Sequence, residues 1–228
     1  MPAEQADPAR SDAERQQQGT EAGEGGPVLQ LLSRALEFWL RQQCEAIERL
    51  EIRLDGSAPQ LLRGRLEGVR LLARRVRYQG LELEEVRLRS DTIRVRMGTL
   101  LRRRSLELES AFAVQGSVCF SGDGLNRSLC GPRWSGLGDS LAESLLGLSP
   151  LAGLRIEEDR LILQARGAGE QELVERATRL APAEGALVLS CLEGDQSAEL
   201  PMDPAITIEQ TRLGGGRLEL AGVALVSA

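Results

Sequence analysis

From Leu66 to Met97 the chain reads LEGVRLLARRVRYQGLELEEVRLRSDTIRVRM, a pattern that restricts it to antiparallel sheet. Val69, Leu71 and Ala73 alternate with charged or polar positions, then Val76 and Tyr78, then Leu81 and Leu83. Val86 and Leu88 continue the rhythm, followed by Ile93, Val95 and Met97. Period-two alternation marks a half-buried strand with one apolar and one solvated face. The phase slips at Arg74-Arg75 and again at Glu84-Glu85, and a bulge or turn at each would keep the apolar side inward.

The solvated face is basic. Arg63 to Arg104 holds thirteen arginines against five acids, a local charge near +8 in a chain whose net charge is −6. The remainder is therefore near −14. Such segregation suits a surface that meets phosphate, and it equally suits an outer sheet face that meets only water. Composition leaves both open.

Several chemistries are excluded. The chain has no histidine, and all 28 of its basic residues are arginine. That removes the commonest general base, the commonest metal ligand and every lysine-dependent mechanism. Cys44, Cys119, Cys130 and Cys191 form no CxxC pair and no zinc spacing, so free thiols are expected, with no metal and no cofactor. Ser117 and Ser121 have no histidine to activate them. Gly214-Gly215-Gly216 joins two strands rather than opening a helix, which argues against a phosphate loop. Nucleic acid is not an expected partner, because within the basic island only Tyr78 is aromatic.

Taken in order, residues 1–27 are rich in Ala, Glu, Gln, Gly and Pro and predict a disordered acidic tail ahead of one domain over 28–228. The tail lacks the apolar run of a signal peptide, so a cytoplasmic or membrane-associated protein is expected. Val28 to about Leu50 predicts a long helix, roughly 35 Å, with Leu32, Leu36, Trp39, Leu40, Ile47 and Leu50 on one stripe. Its charges speak against a membrane span. Strands are then expected at Glu51–Leu54 and through the opening stretch. Two more are expected around Leu106–Val114 and Val118–Phe120. Asp123, Asn126 or Ser128 would cap a short turn, and Leu137–Leu148 predicts a second, shorter helix. Leu154–Ala165 reads as strand with a turn at Glu158-Asp159, and Ala186–Leu192 as strand. Ile206–Leu225 reads as a hairpin turning at the triple glycine. Glu170–Leu180 fits helix and strand alike.

Two carboxylate clusters, Glu84-Glu85 and Glu157-Glu158-Asp159, invite comparison with the acid pair of glycosidases. Adjacent strand residues point to opposite faces, however, so neighbours of this kind do not converge on one bond. No catalytic residue is assigned.

Several segments resemble the LmeA-type phospholipid-binding family, a bacterial domain largely of unknown function. The resemblance is carried by LRQQCEAIERLEIRLDG at Leu40–Gly56 and by the stretch Gln60–Arg102. GDGLNRSLCGPRW at Gly122–Trp134 and the terminal hairpin carry it too. The spacing from Gly64-Leu66-Gly68-Val69 to Tyr78-Gln79-Gly80-Leu81 is its most specific part. It implies an α+β fold in which a long curved antiparallel sheet wraps round the long N-terminal helix, similar in outline to tubular lipid-binding domains. It also implies a non-enzymatic binder of anionic phospholipid or of a membrane surface. On that basis Leu36, Trp39, Leu40 and Ile47 of the helix, with Leu71, Val76, Leu81, Val86 and Val95 of the strands, would line an acyl-chain groove or a packed core. Arg102, Arg103 and Arg104 would meet the headgroup. A protein-interaction module with an unknown partner, and a carboxylate-based glycosidase, are the alternative readings.

Overall fold

A computed structural model of the protein describes residues 27–96, 107–167 and 173–227. The expected tail, Met97 and the Arg102–Arg104 connection lie outside the described residues. The first helix, α1 (Pro27–Gln43), is shorter than its apolar stripe predicts, about 26 Å. After a last helical bond from the Cys44 N–H to the Leu40 carbonyl, the chain bends into β1 (Ala46–Asp55). Ile47 and Leu50 therefore sit on a strand, opposite Val76 and Ala73. Their three-residue spacing fits a helix face, but Leu50 also opens the Leu50, Ile52, Leu54 alternation. Nine cross-strand pairs along β1 satisfy the backbone and bury all three leucine and isoleucine side chains of that alternation. Long-range pairing wins over local periodicity.

A short helix, α2 (Ala58–Leu62), leads to β2 (Arg65–Leu66), β3 (Gly68–Tyr78), β4 (Leu81–Ser90) and β5 (Ile93–Arg94). β3 and β4 form a two-residue hairpin in which Gln79 and Gly80 both have positive φ, as that turn requires. The phase slip anticipated at Arg74-Arg75 is realised at Arg75, whose φ is 48°. Ala73 and Val76, three residues apart, are consequently both buried, with no shift in register. A single strand, β6 (Phe112–Ser121), stands where two were expected, and Leu108 makes only an isolated bridge to Val95.

β6 runs directly into α3 (Gly122–Cys130). The cap is Ser121, whose hydroxyl accepts from the Gly124 N–H at 3.1 Å, rather than any of the three residues nominated from sequence. α4 (Ser135–Leu146) ends at Gly147 in the left-handed region. A meander follows: β7 (Leu151–Glu157), β8 (Arg160–Arg166), β9 (Leu173–Ala183), β10 (Ala186–Cys191) and β11 (Ser197–Leu200). The described part of the ambiguous segment is thus strand. β12 (Ile206–Gly214) and β13 (Arg217–Val226) close the chain as the expected hairpin.

Two antiparallel sheets replace the one curved sheet expected around a long helix. One has six strands in the order β1-β3-β4-β6-β13-β12, the other five, β11-β10-β9-β8-β7, and β2 pairs with β5 apart from both. A helix of 17 residues covers only part of a six-stranded apolar face. It packs over β1 and β3, forming one core with Leu50, Ile52, Leu54, Ala73 and Val76. The rest of the face, at Phe120, Ile208 and Leu218, is covered by α3, α4 and the five-stranded sheet in a larger core. Between these two coverings a strip of apolar sheet remains.

Candidate functional site

That strip is the floor of a groove of ≈ 730 Å³. Ile52, Leu71 and Leu88 stand side by side across β1, β3 and β4, with Val114 beyond them on β6. Leu32 and Leu36 of α1 form the roof, and Leu66 and Ile93 close one end from the β2–β5 pair. Of the described residues lining it, only Ser90 has a polar side chain. Its oxygen is already engaged, accepting from the Val69 N–H at 2.9 Å. Among the described residues no charged side chain lines this space.

The sequence nominations divide. Leu36, Leu40, Leu71 and Val95 line the groove. Ile47, Val76 and Val86 belong to the packed core beneath α1. Leu81 is half-buried beside the β3–β4 turn, opposite Tyr78. Trp39 lies on the outward side of α1, 55% exposed. Arg102, Arg103 and Arg104 are outside the described residues. Sequence reasoning missed Leu31, Leu62, Leu66, Leu88, Phe112 and Val114 as lining residues. For Leu88 the alternation was the available signal; for Leu62 and Phe112 there was none, since only tertiary packing brings α2 and the start of β6 alongside α1.

The reverse face of the six-stranded sheet carries the arginines. Arg53, Arg70 and Arg89 are direct cross-strand neighbours on β1, β3 and β4, each next in sequence to a floor residue and pointing the opposite way. Much of this basic face is neutralised by carboxylates, some within the basic stretch and two, Asp55 and Glu48, brought in from β1. Asp55 holds Arg70 through two bonds, at 3.0 and 2.6 Å. Glu85 meets Arg74 and Arg87, Glu48 meets Arg75, and Glu82 meets Arg77. Arg53 and Arg89 have no ion pair among the described residues. The same is true of Arg65 and Arg94, paired opposite each other beside Leu66 and Ile93 at the groove's end.

The carboxylates considered for glycoside chemistry are dispersed. Glu84 pairs with Arg217 and Glu85 with two arginines on the six-stranded sheet. Glu157 pairs with Arg155 on the five-stranded one, and Glu158 occupies a turn with φ 51°. Arg155 also spans to Glu175, and the guanidinium, with Gln164 adding a bond, holds the Glu175 carboxyl down at about 2. Glu84, Glu85 and Glu157 are each tied into ion pairs with arginines. The four cysteines are unpaired.

Among the described residues this concave space has an almost wholly apolar lining, carried on an α+β scaffold of two antiparallel sheets. The family model described as LmeA-like phospholipid-binding matches residues 24–225, and the chain belongs to that family. No curated protein and no solved structure matches it. Among the described residues no helix is long and apolar enough to cross a membrane.

Proposed function

We propose that the protein binds phospholipid without acting on it, taking acyl chain into the groove between α1 and the six-stranded sheet. The observation that carries this reading is the lining: a cavity of ≈ 730 Å³ in which the one polar side chain among the described residues is already satisfied. Water in such a space has almost nothing to bond, so hydrocarbon is the favoured occupant. Membership of a phospholipid-binding family supports the same ligand.

The headgroup stays at the rim, because the arginines of the outer face are on the wrong side of the strands to reach a chain in the groove. Arg65 and Arg94, beside lining residues and without carboxylate partners among the described residues, join Arg102, Arg103 and Arg104 as the groups proposed to meet phosphate. Guanidinium groups bind phosphate bidentately, and each basic residue near an anionic bilayer contributes about 1 kcal/mol, screened by salt. An anionic lipid is therefore preferred.

Mass spectrometry of lipid extracted from the purified protein, with Val114→Trp as the groove-filling variant, tests the reading. Stoichiometric phospholipid in the wild type and its loss in the folded variant is the expected result. Wild-type protein that carries no lipid, and whose melting temperature does not rise with added monomeric short-chain phosphatidylglycerol, would overturn it.

A further inference from the structure

α1 presents two apolar arcs. Leu29, Leu32, Leu36 and Leu40 turn inward, with Leu29 fully buried. Val28, Leu31, Phe38 and Trp39 fall on the outward flank and are 43, 70, 66 and 55% exposed. Val28 and Leu31 also line the groove, and Leu62, at the end of α2 and 69% exposed, does so from the facing side. The groove mouth is therefore apolar on its outside as well as within, and Phe38 and Trp39 extend that surface along the helix. The chain has three Phe, two Trp and one Tyr, so two of its six aromatics stand together on this one exposed edge. A surface that only met water would not concentrate them there.

Among the described residues, the charges that flank this strip most closely on α1 and α2 are arginines. α1 carries Arg34 and Arg41 on one flank of the strip, and Arg63 follows Leu62. None of the three has an ion pair among the described residues; Arg41 donates only to the Ile47 carbonyl, at 3.0 Å. Glu37, the helix's single acid, lies on the side shared with Ser33, Arg34 and Arg53, so Arg34 stands between it and the apolar strip. An apolar strip rimmed by arginines complements an anionic bilayer, whose phosphates lie just above its hydrocarbon. A second copy of the chain would bring the same arginines face to face.

We propose that this lip is a membrane-docking surface. α1 lies in the plane of an anionic bilayer interface, with Leu31, Phe38, Trp39 and Leu62 among the upper acyl carbons and Arg34, Arg41 and Arg63 among the phosphates. The groove mouth then opens onto hydrocarbon, and an acyl chain passes between bilayer and groove without crossing water. This route rests on the groove reading above; the docking itself does not.

The experiment uses the full chain carrying Trp134→Phe, which leaves Trp39 as the sole tryptophan, and vesicles of phosphatidylglycerol and phosphatidylcholine with brominated acyl chains. The expected result is a blue-shifted, quenched Trp39 emission on mixed vesicles. In a second arm Phe38→Glu, which alters no groove-lining residue, should weaken vesicle binding tenfold or more. It should leave unchanged the rise in melting temperature caused by monomeric short-chain phosphatidylglycerol. Vesicles that leave Trp39 unshifted while the short-chain lipid still stabilises the protein would overturn the docking surface and spare the groove. Vesicle docking without any short-chain stabilisation would support the surface and overturn the entry route with the groove. If Phe38→Glu converts a dimer to a monomer and leaves vesicle binding intact, the edge is a contact between copies and the proposal is wrong.

Discussion

Arg127 donates twice to Glu82 Oε2, at 2.9 and 2.6 Å, and so fastens α3 to the first turn-proximal residues of β4. Glu82 Oε1 accepts in addition from Arg77 of β3, at 2.8 Å. Both guanidinium groups, that of Arg127 above all, hold the Glu82 carboxyl below the usual carboxylate range. The same residue's N–H donates to Ser128 Oγ at 2.9 Å, and that hydroxyl donates onward to the Gly124 carbonyl at 2.7 Å. One strand residue thus binds the helix that covers half the sheet face through side chain and backbone alike.

Ser128 is 1% exposed, so its replacement leaves polar groups stranded rather than resolvated. Ser128→Ala should lower stability by about 1–3 kcal/mol, the cost of an unsatisfied buried donor. Urea unfolding of the variant against the wild type measures it, and an unchanged midpoint would show that the Glu82 N–H has found another acceptor.

Acid should weaken the five-stranded sheet at a defined place. Glu175 is held at about 2, well below its ordinary 4.5, chiefly by Arg155. A depressed carboxylate contributes stability in full above its unfolded value and loses it as protons bind the folded state. The melting-temperature gap between wild type and Glu175→Gln should therefore be constant above about pH 5 and close as the pH falls through 4.5 towards about 2. A gap that widened on acidification would contradict the ion pair.

Gly222 tests the packing of β13 on β12. A Cβ there would fall on the Thr207 carbonyl oxygen and lie 3.0 Å from Ile208 Cα, both backbone atoms that cannot swing aside. Gly222→Ala should cost about 1–3 kcal/mol or more. Gly136, exposed in the first turn of α4 with nothing within 4 Å of its would-be Cβ, should accept alanine with a gain of about 0.5 kcal/mol. Thermal melts of the two variants should shift in opposite directions.

Leucines should separate into core and lip. Leu163 is 0% exposed, and Leu163→Ala should cost about 2–5 kcal/mol. Leu31 is 70% exposed, and Leu31→Ala should stay within about 0.5 kcal/mol of wild type. Chemical denaturation resolves the two, and a large loss at Leu31 would place it in the core.

The sequence by itself determined the antiparallel character of the sheet, the turns at Glu158-Asp159 and the triple glycine, and the apolar side of the strands through the opening stretch. Alternation at Leu71, Leu88 and Ile93 and the glycines of the terminal hairpin act over a few residues and need no partner to be legible. The family match rests on the same residues. What alternation does not carry is partnership. The three-residue spacing of Ile47 and Leu50 favours a helix, and only the nine-pair ladder to β3 put them on a strand. The basic count over Arg63–Arg104 was correct as a sum, yet Glu48 and Asp55 arrive from β1 to neutralise Arg75 and Arg70. Tertiary structure alone decided which apolar residues became core and which became groove. Phe120 and Leu218 met α3, α4 and the second sheet, while Leu71 and Val114 line the groove that α1 roofs without filling. Apolar side chains carry no directional preference for a partner, so burial is allotted by how far each covering element extends across the sheet.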